Sequence, residues 1–189
     1  MFHGGFGDPD LASASDAVWR RSTERPRSTG GVGDVRDFRQ ALGSFATGIT
    51  IVTARAPDGA LAGVTANSFC SVSLDPPLVL WCLAGSAPSR AVFAHATHFA
   101  VHVLAEDQLD LSDRFCKPSR NKFAGLEVTE GLGGAPLLDG VVALFECRRE
   151  QRHDAGDHVI LVGRVERYHH TDRPPLVFHG SNYHGLGRP

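Results

Sequence analysis

The chain has 189 residues, and its 19 lysines and arginines stand against 21 aspartates and glutamates, for a formal net charge of −2. That balance excludes the strongly basic surface that nucleic acid or a polybasic membrane contact requires. The longest apolar run, Leu78 to Ala84, falls far short of the ~20 residues of a spanning helix, so a soluble protein with no membrane partner is expected, of a length that suits one core-forming domain.

Residues 1–33 are rich in Gly, Ser, Pro and Arg and carry no sustained period, which predicts a disordered N-terminal tail ahead of a domain over 34–189. From Asp34, an N-cap residue, Val35, Phe38, Leu42 and Phe45 recur at helical steps, with Gly48 just past the end. A β-branched strand from Ile49 to Arg55 follows, then the turn Pro57-Asp58-Gly59 and a strand from Leu61 to about Phe69, which together read as a hairpin. Leu78 to Leu83 is a continuous apolar strand, Ser89 to Ala96 a short helix and His98 to Ala105 a further strand. Residues 107–135 form an irregular excursion that begins like a helix at Gln108 and carries both lysines of the chain, Lys117 and Lys122. Strands over Val141–Arg149, His158–Tyr168 and Pro175–His179 complete the series. About seven strands with too few helices for βαβ crossovers predict a mainly β, antiparallel barrel with a few flanking helices.

Cys70, Cys82, Cys116 and Cys147 show no CxxC and no zinc-ribbon spacing, and three lie in strand-like segments where a free thiol packs as a small hydrophobe. With no apolar leader at the N-terminus, a reducing, cytoplasmic location is expected. His95, His98 and His102 span a helix-to-strand change that should keep their side chains apart, so no metal site is predicted. No serine sits in a GxSxG elbow and no Walker A sequence occurs.

Two polar clusters remain. Thr65, Ala66, Asn67, Ser68 and Ser71 end a strand with small hydrogen-bonding residues, which lets a flat polar ligand approach the backbone and equally suits a plain polar strand end. Ser86, Ser89 and Arg90 lead from a strand into the short helix, a combination that suits a phosphate and equally a serine cap beside an exposed arginine. His158 opens a strand after the tight turn Asp154-Ala155-Gly156-Asp157 and is either a rim residue over a pocket or a polar strand end.

Taken together, Phe45-Ala46-Thr47-Gly48-Ile49-Thr50-Ile51-Val52-Thr53, the stretch from Gly63-Val64-Thr65-Ala66-Asn67-Ser68 to Asp75-Pro76-Pro77-Leu78-Val79, and Gly156-Asp157-His158 to Val165 resemble the short-chain flavin reductases, the reductase components of two-component flavin-dependent monooxygenases. The resemblance covers about residues 34–185. It implies a homodimeric, FMN-binding split barrel of Greek-key type that oxidises NADH or NADPH, reduces FMN or FAD, and passes the reduced flavin to a partner monooxygenase. By the same resemblance Thr65, Ala66, Asn67, Ser68 and Ser71 follow the flavin ring and ribityl chain, and Ser86, Ser89 and Arg90 hold its phosphate. His158 and Tyr183 stand near the nicotinamide, and Phe115 and Lys122 belong to the loop bordering the flavin. The alternative is a flavin-binding or electron-transfer module without reductase activity, since a barrel alone does not fix the chemistry.

Overall fold

The computed structural model describes residues 33–119 and 121–186, so the stretch expected to form a tail, apart from Gly33, lies outside the described residues. The chain divides into two units, residues 1–39 and 40–189. Helix α1 (Val35–Gly43) runs through the junction. Its first turn is capped as the sequence predicts, the Asp34 carboxylate accepting the backbone N–H groups of Arg36 (2.9 Å) and Asp37 (3.2 Å). It ends several residues before Gly48: tighter turn bonds at Ser44 and Phe45 close it, and the Gly43 carbonyl accepts the Gly180 N–H instead of continuing the helix.

The rest is mainly strand: β1 (Thr47–Gly48), β2 (Thr50–Arg55), β3 (Leu61–Ala66), β4 (Cys70–Leu74), β5 (Pro77–Ala84), β6 (His98–Val103), β7 (Thr129–Glu130), β8 (Pro136–Leu137), β9 (Ala143–Ala155), β10 (His158–His170), β11 (Leu176–His179) and β12 (Asn182–Gly185). Helices α2 (Arg90–His95) and α3 (Leu109–Cys116) interrupt the series. Seven strands form one antiparallel sheet in the order β3-β2-β6-β9-β10-β5-β4, while β1-β11-β12 and β7-β8 make two small ones. The large sheet curls until β3 nears β5. There a side chain spans the opening in place of a ladder: Ser68 Oγ accepts the Cys82 N–H at 2.9 Å and donates to the Cys82 carbonyl at 3.2 Å. The barrel is split at this seam.

Strand β2 shows why the apolar run reads without alternation. Val52 and Ala54 face a core of Trp81, Phe93, Phe99, Val101 and Leu161, whereas Ile51 faces a second core with Leu104, Phe115, Leu138 and Leu176. Both faces of the strand are covered, so both are apolar. Trp81 sits edge-on to Phe93 and Phe99, at centroid distances of 4.9 and 6.0 Å, which ties α2 to the barrel interior. Strands β9 and β10 run as a ribbon past the core, to a turn at Gly156 and Asp157.

Candidate flavin and nicotinamide site

Two depressions flank the turn between β5 and α2. The first, about 420 Å³, lies between β3, residues 118–119 and 121–123, and α2, with Gly63, Ser89, Val92, Lys122 and Phe123 in its wall. The second, about 430 Å³, is lined by Ser86, Arg90, Asp154, Asp157 and His158. Both have the size of small-molecule sites. The second exists because the Gly85 N–H donates to the Asp157 carbonyl at 2.8 Å, pinning the end of β5 to the β9–β10 turn. His158 faces Ala84 across the β10–β5 ladder, so the turn bearing Ser86 comes to lie beside the histidine although more than 70 residues separate them in the chain.

At His158, Nδ1 lies 2.7 Å from Asp157 Oδ1. A carboxylate only accepts, so Nδ1 carries the hydrogen and Nε2 is left for a ligand. Asp157, part of the Gly156-Asp157-His158 motif but given no role by it, lines the same depression as His158.

In the first depression Lys122 Nζ donates to the Phe115 carbonyl (2.5 Å) and the Gly63 carbonyl (3.1 Å). The ammonium thereby caps the C-terminal turn of α3 and straps it to β3. Burial pushes its pKa below the usual lysine value, partly offset by the Coulombic influence of Cys116. Phe115 itself is fully buried, its ring edge-on to Phe123 at 5.2 Å. It underlies the depression without lining it.

The structure treats the other residues unevenly. Thr65 Oγ1 donates to the Ser112 carbonyl at 2.6 Å, and the buried Ser112 hydroxyl meets the Tyr183 hydroxyl at 3.0 Å. Tyr183 lies on β12 against Phe178 and lines neither depression, so one chain does not bring it to His158. Ala66 is buried, its carbonyl accepting from Thr50 Oγ1, and Ser68 is engaged at the seam. Asn67 and Ser71 are exposed. Ser89 precedes α2 but makes no side-chain cap bond, and α2 has only six residues, so hydroxyls and the Arg90 guanidinium, rather than a helix terminus, are what the turn offers an anion. The three histidines go separate ways: His95 to the Ala91 carbonyl, His98 to Thr97 and Glu166, and His102 to the Ile51 carbonyl.

These features fit a phosphorylated, flat ligand: Arg90 and the Ser86 hydroxyl in one hollow with a tautomer-fixed imidazole at its rim, and Ser89, Lys122 and a wall at Gly63 in the other. The fold and the hollows define a small split β-barrel with room for a small molecule. Residues 42–187 match the flavin reductase like domain, and the chain belongs to that family. It is 51% identical over 153 residues to the FMN reductase (NADH) SmoA of Agrobacterium fabrum, covering 81% of this chain and 87% of that one. It is 48% identical to the reductase component of the flavin-dependent trigonelline monooxygenase of Acinetobacter baylyi, covering 72% of this chain but only 44% of the relative. The NADH:FAD oxidoreductase SgcE6 of Streptomyces globisporus C-1027 superposes with a TM-score of 0.81 at 32% identity, covering 87% of this chain and all of the other.

Proposed function

We propose that this chain oxidises NADH, reduces FMN or FAD, and delivers the reduced flavin to a partner monooxygenase as one half of a two-component system. The observation that carries the reading is the convergence of Ser86, Arg90 and His158 on one depression, from segments far apart in the chain. Relatives named as an FMN reductase (NADH), as the reductase component of a flavin-dependent trigonelline monooxygenase and as the reductase subunit of a stachydrine N-demethylase support it.

A bound flavin supplies the hydride-accepting ring, and the nicotinamide supplies the hydride, so no protein nucleophile is needed. Arg90, with the hydroxyls of Ser86 and Ser89, binds the phosphate. Lys122 and the backbone along Thr65, Ala66, Asn67, Ser68 and Ser71 hold the ring, with Phe115 as its support. His158 orients the nicotinamide through Nε2, while Asp157 keeps Nδ1 protonated. Tyr183 joins this site from a second copy of the chain, in a homodimer.

The test is direct: purified protein with NADH or NADPH, and with FMN or FAD, followed at the nicotinamide absorbance. Oxidation that depends on added flavin is expected. Flavin binding without oxidation in any combination would instead make the chain a flavin carrier.

A further inference from the structure

The middle of α3 holds a residue that its surroundings do not call for. Ser112 is fully buried on the same face of the helix as Phe115, and a hydroxyl taken from water costs free energy unless it is bonded. Serine is also a weaker helix former than alanine, because its side chain competes for the backbone. Alanine would suit both the helix and the packing better. What the hydroxyl gains in exchange is a bond to the hydroxyl of Tyr183, at 3.0 Å.

Tyr183 lies on β12, a four-residue strand at the end of the β1-β11-β12 sheet, between the exposed Asn182 and His184. Phe178, opposite it in the β11–β12 ladder, meets its ring edge-on at 5.3 Å. Phe178 belongs to the same hairpin, so that contact travels with the ring. Both rings also lean on the second core, a contact without direction. The bond to Ser112 is directional, and it ties the far end of the ring to a separate element.

Ser112 is in turn held from β3, the strand that begins the proposed flavin contacts. Its carbonyl accepts from Thr65 Oγ1 at 2.6 Å, Phe115 packs on Gly63, and Lys122 Nζ donates to both the Gly63 and the Phe115 carbonyls. The Tyr183 hydroxyl is thereby referenced to Thr65 through one residue, whose backbone holds β3 and whose side chain holds β12.

We infer that Ser112 is a positioning residue of the reductase, setting the Tyr183 ring relative to β3 through the bond between the two hydroxyls. The inference rests on the reading above, in which Tyr183 joins the nicotinamide end of the site, and adds to it a buried group that lines neither depression.

Three variants isolate the bond. Ser112→Ala and Tyr183→Phe remove it from either side, and Ser112→Thr keeps a hydroxyl in place. NADH kinetics would be read beside flavin binding by fluorescence quenching, a melting curve, and hydrogen exchange of the β12 amides. In Ser112→Ala, kcat/KM for NADH falls about five- to tenfold, the worth of one hydrogen bond, while flavin binding is unchanged. Tyr183→Phe falls by a similar factor, the double variant falls no further than either single one, and Ser112→Thr stays within about twofold of wild type. The β12 amides exchange faster in both variants that lack the bond. Unchanged NADH kinetics in a folded Ser112→Ala overturn the inference. So does a loss of flavin affinity equal to the loss in kcat/KM, which would make Ser112 a packing residue of α3. A wild-type chain that oxidises no nicotinamide fails the reductase reading instead, and hydrogen exchange then decides the bond by itself, equal rates in wild type and Ser112→Ala overturning it.

Discussion

At the scale of single residues, two histidines show how environment sorts one side chain into opposite tasks. The His158 side chain is half exposed, with Nδ1 committed to Asp157. Its ion pair is too exposed to matter much for stability, so the expected cost of His158→Ala is catalytic. NADH oxidation falls at least about tenfold while the dissociation constant for flavin, read by fluorescence quenching, changes little. A variant with wild-type turnover would remove His158 from the site. His102 is the reverse case. It is wholly buried, Nδ1 meets the Ile51 carbonyl at 2.9 Å, Nε2 has no hydrogen-bond partner among the described residues, and burial lowers its pKa from 6.5 to about 4. In the unfolded chain it takes up a proton below about pH 6.5, which the folded chain resists until about pH 4. Its contribution to stability is therefore full above pH 6.5 and drains away as the pH falls to 4, by about 3 kcal/mol. The unfolding free energies of wild type and His102→Gln, measured in urea between pH 7.5 and 4, should differ increasingly as the pH falls, by a total of about that amount, and parallel curves would contradict it.

At the scale of elements, the site depends on how α2 and α3 are fixed to the barrel. Arg149 on β9 donates to the carbonyls of Phe93 and Ala94, satisfying the C-terminal end of α2 and holding the turn of Ser86 and Arg90 in place. Helix α3 presses Phe115 against Gly63 so closely that a Cβ there would come within 2.3 Å of the ring. Gly63→Ala therefore forces Phe115 and the Lys122 strap outward, with an expected loss of about 1–3 kcal/mol, checked by a lowered melting temperature together with weaker flavin binding. The same packing marks the limit of what sequence discloses. The apolar strands β2, β5 and β10 and the capped start of α1 were legible because period, β-branching and capping are local signals. The outer half of β9, from Gln151 to Ala155, was not, since those residues are exposed and polar and are strands only because β10 pairs with them. Strands β4 and β12, of five and four residues, also escaped notice, since each is too short to show a period of its own and is defined by its pairing with a neighbour. Within the site, Ser86, Arg90 and His158 could be singled out by residue type, but the commitment of Thr65 to Ser112 and the burial of Phe115 arise from the docking of α3, a contact across 47 residues that no local pattern encodes.

At the scale of the molecule, the large sheet has an edge that no strand among the described residues covers. Strand β4 ends the strand order, pairs among those residues with β5 alone, and exposes Val72 at 49% and Leu74 at 85%. An open edge with large apolar side chains is a liability in a monomer, and a second copy is one way to cover it. Asn67 and Ser71, two of the proposed flavin contacts, lie on this edge or beside it, and Tyr183 lies away from His158 within a single chain. Pairing of two chains along β4 would both bury the apolar side chains and enclose the flavin. Light scattering after size-exclusion chromatography should give twice the chain mass for the wild type and a shift toward the monomer for Leu74→Asp. Flavin affinity and NADH oxidation should fall together with the dimer, and be recovered in part when protein concentration is raised. A wild-type monomer with full activity would show instead that the site is complete within one chain, and that β4 is covered by the partner oxygenase or by nothing at all.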